Sequence, residues 1–325
     1  MAVKVTLQSE ASEARGAAQT GAVLDQADLE NFPVAPFFLP TSLRDGLMAV
    51  YGFARLVDDI GDGDLADPAE TARVLGAPPR EEFDSAAGDA EPAFRSALLD
   101  ALEEDLRRAC AVDGPSSVTG SPRHPLLQAL RPVIVNRGLS IDPFRNLIEA
   151  NRVDQRIARY QDYQQLLDYC ELSANPVGRI VLELADRADP QRVAWSDAIC
   201  TALQIVEHLQ DVAEDLARDR IYLPAEDLEK FGVTERDLAA RTASGPLREL
   251  IAFEARRARA LLDEGAPLVG SVSGRLRVLL AGFAAGGYAA LDAVAAAGYD
   301  VLAGAPKAGK GRLLRQAAVT LVRGR

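Results

Sequence analysis

The sequence predicts an all-α protein, and the pattern of apolar residues along the chain is the reason. In most segments apolar residues recur every three or four positions, as they do on the buried face of an amphipathic helix. No segment shows the alternation and β-branched enrichment that are typical of strands. The 325 residues, 48% hydrophobic and 26% charged, have the composition of an ordinary globular protein. We therefore expect one all-α domain of many helices.

The order of the elements follows from the same pattern. Residues 1–25 are polar and predict a flexible N-terminal tail, residues 26–302 form the all-α domain, and residues 303–325 form a basic C-terminal tail or amphipathic helix. Gly, Pro and Asp between residues 61 and 92 predict an exposed loop with short helical pieces, and Pro176 and Gly178 predict a kink or break. Helical patterns cover residues 43–57, 93–110, 125–137, 143–159, 163–186, 191–218, 235–240, 245–265 and 274–297.

Charge and cysteine content exclude several classes of protein. The chain has 36 basic and 48 acidic residues, a net charge of −12, which argues against nucleic acid as a partner. The three cysteines form no C-x-x-C pair, so neither a zinc site nor a disulfide framework is expected. The N-terminus lacks the apolar stretch of a secretory signal, and the apolar run at residues 278–291 is shorter than the roughly 20 residues of a membrane span. We expect a cytoplasmic protein whose apolar C-terminal helix lies in the core.

The C-terminal segment differs in charge from the rest of the chain. After Asp300 there are six bases and no acid, whereas the preceding residues hold 30 bases and 48 acids. A basic amphipathic helix lying on an anionic membrane and a solvated tail both fit this pattern. Peripheral contact with the inner face of the membrane is therefore one of two open interpretations.

Two acidic clusters point to chemistry. Asp58, Asp59 and Asp62 lie at the end of the first predicted helix, and Asp58 and Asp62 share one helix face at i, i+4. Their mutual repulsion and the helix dipole both disfavour this arrangement, and a bound cation would relieve it.

A second cluster repeats the spacing. Asp211 and Asp215 are again i, i+4, and Glu207 lies one turn earlier on the same face. Hard oxygen ligands without His or Cys suit a Mg²⁺ ion that keeps some of its waters and holds a phosphate group. The alternative, two solvated acidic faces, remains open at this point. His208, inside this cluster, either touches substrate or is a packed histidine.

Three blocks of sequence resemble the squalene/phytoene synthase family in order and spacing. They are YGFARLVDDIGD at residues 51–62, YCELSANPVGR at 169–179 and QIVEHLQDVAEDLARDRIYLP at 204–224. Within that family ENFPVA at residues 30–35, SANPVGR at 173–179 and the Gln210-Asp211 pair are most similar to the bacterial hydroxysqualene synthase branch of hopanoid and squalene biosynthesis.

The resemblance implies a single-domain isoprenoid synthase fold with helices around a central active-site cavity. It also implies Mg²⁺ ions that bridge the two acidic helices and the diphosphate of a prenyl substrate. By motif, the metal ligands are Asp58, Asp62, Glu207, Asp211 and Asp215. The residues implied in catalysis are Tyr51, Arg55, Tyr169 and Tyr222, and those implied in substrate binding are Asn31, Phe32, Asp59, Asp154, Gln204 and Arg220.

Two departures from the family pattern favour one reaction within it. Members that condense two prenyl diphosphates usually have Asn where this chain has Glu207 and Arg where it has Gln210. The loss of a fixed positive charge favours a reaction that uses one diphosphate. The expected activity is therefore conversion of presqualene diphosphate to hydroxysqualene, in which water captures a rearranged carbocation.

Two alternatives stay open. The first is a head-to-head prenyl transferase that makes presqualene diphosphate, squalene or phytoene, and the second is a non-catalytic relative, which we would expect to lack the acidic clusters. A squalene synthase would need a nicotinamide cofactor, but GDGDLA at residues 61–66 follows a helix and bears two acids, so it is no dinucleotide-binding motif. No nicotinamide partner is expected.

Overall fold

The computed structural model describes residues 35–83, 90–111, 120–306 and 308–323. Within these ranges all extended regular structure is helical, and the β-structure consists of one isolated parallel bridge between Arg159 and Ile221. The predicted all-α class is confirmed. The helices are α1 (Thr41–Asp62), α2 (Pro68–Leu75), α3 (Ala90–Cys110), α4 (Pro125–Arg137), α5 (Asp142–Asp154), α6 (Tyr163–Ser173), α7 (Asn175–Leu184), α8 (Pro190–Gln210), α9 (Val212–Ala217), α10 (Ala225–Phe231), α11 (Glu235–Leu238), α12 (Gly245–Gly265), α13 (Pro267–Ser271), α14 (Gly274–Ala296) and α15 (Lys310–Arg323).

The described residues fall into two compact units, one up to Gln155 and one from Arg156 onwards. In the first unit α1 is the central helix and packs against α3, α4 and α5. Its apolar face includes Phe53, which is fully buried and meets Phe144 of α5 edge-on at 5.4 Å between ring centroids. The acidic end of α1 is thereby held in place by a packed core.

In the second unit α8 has the same central position. It packs against α6, α7, α12, α13 and α14. Among the described residues, α14 is the one helix long and apolar enough to cross a membrane by length and composition. However, 67% of its most apolar 18-residue stretch is buried in the protein. This burial agrees with the expected core helix. The second acidic cluster begins at the C-terminal end of α8.

Several predicted boundaries are wrong, and local hydrogen bonding explains them. The pattern at residues 143–159 ends as a helix at Asp154, because Ala158 and Tyr160 offer their carbonyls to the backbone N–H groups of Ile221 and Ala225. The break predicted near Pro176 is confirmed at Ala174, between α6 and α7. The seven-residue helix α10 lies in a segment predicted as a break between helices, since one face of so short a helix leaves little periodicity to detect.

A buried carboxylate pair joins α10 to α12. Asp227 and Glu254 are 2% and 1% exposed, and the guanidinium of Arg257 donates to both, at 2.5 Å and 3.0 Å. Lys230 lies 3.9 Å from Asp227. Burial, and then the negative charge of Asp227 acting against Arg257, hold the pKa of Glu254 well above its ordinary range. In the folded protein, Glu254 is therefore more readily protonated than it is in the unfolded chain.

We predict that Glu254→Gln stabilises the protein at alkaline pH. Because the pKa of Glu254 is higher in the folded state, the wild type loses stability as the pH rises from about 4.5 towards that raised pKa. Gln keeps the size of the side chain and carries no charge, so the gain should be about 1 to 2 kcal/mol at pH 9 and close to zero near pH 4. Urea unfolding at several pH values measures it. Glu264→Gln, an exposed change on the same helix, is the control, and a gain independent of pH would contradict the explanation.

Candidate active site

The first acidic cluster forms the last turn of α1. Asp58 is exposed to water, Asp59 is 7% exposed, and Asp62 is partly exposed. Although part of the Asp58 side chain reaches solvent, the surrounding protein desolvates its carboxyl and raises the pKa to about 7. A hydrogen bond from Asn151 opposes this shift, and the charge of Asp62 reinforces it. A cation at this carboxylate would favour its charged form.

Arg55 and Asp59, which are four residues apart near the C-terminal end of α1, form an ion pair. The guanidinium Nη2 lies 2.9 Å from the Asp59 carboxylate, while the Nε–H of Arg55 is buried and has no hydrogen-bond partner. Tyr51, a further turn back and partly exposed, contributes to the electrostatic environment of Arg55. Arg55 is thus fixed by Asp59, and about one third of its side chain is exposed.

Helix α5 supports the end of α1. The Asn151 amide donates to Asp58 at 3.2 Å, and the Gln155 amide donates to the carbonyl of Gly61 at 2.8 Å. Arg95 of α3 donates to the same carbonyl at 3.3 Å. These donors counter the negative end of the helix dipole, to which the three carboxylates add. Asp154, predicted to bind substrate, is partly exposed at the end of α5.

Gly61 allows this support because it has no side chain. A Cβ at position 61 would lie 1.8 Å from Oδ1 of Asn151. Glycine is therefore needed here for close approach of the two helices rather than for an unusual backbone angle. Asn151, in α5, and Gln155, the residue that follows α5, were not among the residues that the sequence predicted.

The second acidic cluster spans a distortion of the helix. Helix α8 ends at Gln210, Asp211 has φ −106° and ψ 15°, and α9 begins at Val212. The backbone bonds from Asp211 to Glu207 at 3.0 Å and from Asp215 to Asp211 at 2.8 Å continue across it. Glu207 is exposed, whereas Asp211 and Asp215 are partly exposed. The predicted helix over residues 191–218 is therefore divided within the acidic motif.

His208 and three tyrosines form an aromatic cluster beside this motif. The His208 ring stacks on Tyr222 at 3.6 Å between centroids, and the rings of Tyr160, Tyr169 and Tyr222 lie 5.4–5.5 Å from one another. All three tyrosines are at most 7% exposed. The sequence predicted Tyr169 and Tyr222 but not Tyr160, which lies in a segment without a recognisable motif.

Polar contacts orient His208 within the cluster. Its Nε2 lies 3.1 Å from the Gln204 amide, and its Nδ1 lies 3.7 Å from the Asp215 carboxylate. His208 is therefore a packed residue that contacts the acidic motif. A depression in this unit is lined by His208, Val212, Asp215, Arg220, Ile221, Tyr222, Leu223 and Leu238.

The chain turns sharply after α9 and so positions Arg220. Asp219 adopts φ 59°, a left-handed conformation that Asp tolerates better than most residues. The Arg220 backbone N–H then donates to the Asp215 carbonyl at 2.8 Å.

The side-chain amide of Gln210 donates to the carbonyl of Pro306 at 2.5 Å. Asn31 and Phe32 lie outside the described residues.

Comparison with known proteins identifies the family. Residues 26–317 match the family model for squalene/phytoene synthase. The chain belongs to the squalene/phytoene synthase family. The resemblance of the three sequence blocks is confirmed, and so is the expectation of an enzyme with the isoprenoid synthase fold.

Individual members of the squalene/phytoene synthase family are similar over most of the chain. The hydroxysqualene synthase of Zymomonas mobilis is 35% identical over a match of 239 positions, which covers 72% of this chain and 67% of that protein. The phytoene synthase of Arthrospira platensis is 29% identical over 73% of this chain and 71% of its own length. The crystal structure of squalene synthase HpnC from Alicyclobacillus acidocaldarius has 40% identity and a TM-score of 0.68, covering 88% of this chain and 96% of that one.

The carboxylates of this squalene/phytoene synthase relative fit Mg²⁺ in their chemistry. Among the described residues no three His, Cys, Asp or Glu side chains are grouped closely enough to hold a metal ion by themselves. Mg²⁺ commonly takes only one or two carboxylates and completes its shell with water and substrate phosphate. Asp58 and Asp62 in one unit, and Asp211 and Asp215 in the other, are oxygen donors of that kind.

We predict that Gly61 and Asn151 are energetically coupled. Gly61→Ala should destabilise the protein by about 1 to 3 kcal/mol, because the new methyl group displaces Asn151. Asn151→Ala should cost about 1 to 2 kcal/mol through its lost hydrogen bonds. In the double variant the methyl group meets no amide, so the two effects should not add. Denaturant unfolding of the four proteins measures the coupling. Gly282→Ala, where no atom lies within 4 Å, is the control, and simple additivity would contradict the contact.

Proposed function

We propose that this family member is a Mg²⁺-dependent hydroxysqualene synthase. It would ionise presqualene diphosphate, and water would capture the rearranged carbocation to give hydroxysqualene, diphosphate and a proton. The observation that supports this most is the 35% identity, over 72% of the chain, to a relative named hydroxysqualene synthase. Water capture needs no reductant, so no nicotinamide enters the reaction.

The residues of the first unit suit departure of the diphosphate. Asp58 and Asp62 would hold Mg²⁺, which supplies positive charge to the leaving group when bound. Arg55, held by Asp59 at 2.9 Å and about one third exposed, would direct its guanidinium towards a phosphate oxygen. A guanidinium already oriented by a carboxylate needs little reorganisation when negative charge develops on the leaving group.

The residues of the second unit suit the carbocation and the second metal position. Glu207, Asp211 and Asp215 would hold Mg²⁺, with Gln204 and Arg220 near the diphosphate. Tyr169, Tyr222 and Tyr160 pack mainly against one another and His208. Their rings would act on a nearby carbocation through the negative electrostatic potential of the aromatic faces, which attracts a cation within about 6 Å without forming a bond to it. Asp154, Asn31, Phe32 and Tyr51 remain proposed parts of the substrate site.

Gln210 supports a reaction with a single diphosphate. Its amide is neutral and donates to Pro306, so this position contributes no positive charge. The second candidate is a head-to-head prenyl transferase, favoured by the similarity to a phytoene synthase and to a structure named squalene synthase.

We further propose that the protein is cytoplasmic and contacts the membrane surface peripherally through its basic C-terminus.

Product analysis with two substrates separates these functions. We predict that the purified protein with Mg²⁺ and no nicotinamide converts presqualene diphosphate to hydroxysqualene and leaves farnesyl diphosphate unchanged. In water enriched in ¹⁸O the product should gain one ¹⁸O atom, because its hydroxyl oxygen comes from solvent. Formation of presqualene diphosphate from farnesyl diphosphate would establish the prenyl transferase instead. Turnover of neither substrate would contradict both.

Substitution of the acidic residues tests the metal positions. We predict that Asp58→Asn and Asp211→Asn each lower kcat by at least about 100-fold, since each removes an oxygen donor where leaving-group charge is neutralised. Chelation should abolish the activity of the wild type, and added Mg²⁺ should restore it. Asp45→Asn, an exposed change near the beginning of α1, is the matched control and should leave kcat unchanged. Full activity of both variants would contradict the assignment.

A further inference from the structure

Helix α15 is held against α14, within the second unit, by polar contacts. Gln316 donates to the Asp292 carboxylate of α14 at 2.6 Å, and Arg277 of α14 donates to the carbonyl of Leu321 at 2.8 Å. Thr320 is 4% exposed, on the side that these contacts define. The inward face of α15 is therefore partly polar and docks through hydrogen bonds.

The opposite face of α15 is apolar and exposed. Leu314 and Val322 are 71% and 66% exposed, and the exposed Ala318 lies between them at i+4. We call Leu314, Ala318 and Val322 the outer stripe. A helix on the surface of a globular protein normally turns its large apolar residues towards the core and its polar residues outwards. The outer stripe reverses this preference, which indicates that another apolar medium covers it.

The charge around the outer stripe identifies that medium. Arg315 is exposed beside Leu314, and Arg312 lies partly exposed in the preceding turn. The segment after Asp300 has six bases and no acid, within a chain whose net charge is −12. An anionic surface therefore attracts this segment while it repels the remainder of the chain, and that difference sets the orientation of the protein on the surface.

We propose that the outer stripe of α15 docks on the surface of an anionic lipid bilayer. Leu314 and Val322 enter the boundary between head groups and acyl chains, and Arg312 and Arg315 lie at the level of the phosphates. At 14 residues α15 is shorter than the roughly 20 residues of a membrane span, so it lies in the plane of the interface. The inference rests on the proposed function only in that an isoprenoid substrate and product partition into such a bilayer.

Vesicle co-sedimentation of the full chain tests this surface. We expect binding to phosphatidylcholine vesicles that contain about one third phosphatidylglycerol, little binding to phosphatidylcholine alone, and weakening in about 0.5 M NaCl. Arg312→Gln with Arg315→Gln should weaken partitioning roughly 25-fold, at about fivefold for each basic residue. Leu314→Ser with Val322→Ser should weaken it at least about tenfold.

Matched variants elsewhere on the surface control for general changes in charge and hydrophobicity. Val135→Ser removes an exposed valine in the first unit, and Arg236→Gln with Arg241→Gln removes two exposed charges. Neither should alter partitioning. Equal binding to neutral vesicles, no binding to anionic ones, or no effect of the two outer-stripe variants would overturn the proposal. Sedimentation velocity tests whether a second copy of the chain, rather than a bilayer, packs on the outer stripe. A wild-type dimer that Leu314→Ser with Val322→Ser converts to a monomer would show this and overturn the proposal.

Activity on detergent-dispersed presqualene diphosphate separates this inference from the proposed function. We expect the outer-stripe variants to keep wild-type turnover under these conditions while they lose vesicle binding. A wild type that binds vesicles but turns over no substrate would support the surface and contradict the proposed function. A wild type that converts the substrate but does not bind vesicles would support the proposed function and contradict the membrane-docking surface.

Discussion

The first acidic cluster holds three carboxylates at the C-terminal end of one helix, and the contacts around it compensate for this arrangement. Asp58, Asp59 and Asp62 repel one another and lie at the negative end of the α1 dipole. The surrounding structure offsets this cost with a salt bridge from Arg55, a hydrogen bond from Asn151 and two donors to the carbonyl of Gly61. Repulsion among the three carboxylates remains, and a bound cation would lower its energetic cost because the added positive charge offsets their negative charges.

The second acidic cluster meets the same problem with a different structure. The helix is distorted at Asp211, so its acids are shared between α8 and α9. His208 lies 3.7 Å from Asp215 and stacks on Tyr222, which joins the acidic motif to the buried aromatic cluster. An acidic motif, which under the proposed function would hold Mg²⁺, and a buried aromatic cluster thus lie side by side within one unit. These are the two demands that ionisation of a prenyl diphosphate makes of a protein.

Gln210 links this motif to the C-terminal segment. Its amide donates to Pro306, a few residues before α15. A neutral side chain next to Asp211 therefore tethers the segment that leads to the basic helix. The sequence did not indicate this contact of Gln210.

The sequence by itself determined the all-α class, the two acidic motifs and the family, because periodicity and motif spacing are local properties of the chain. It did not reveal Asn151, Gln155 or Tyr160, whose contacts with Asp58, Gly61 and Tyr222 join residues far apart in sequence. Amphipathicity also left open whether the basic C-terminal segment is helical and which of its faces is covered. Tertiary structure decided these points, because burial and hydrogen-bond partners depend on the elements that pack against a helix rather than on its own residues.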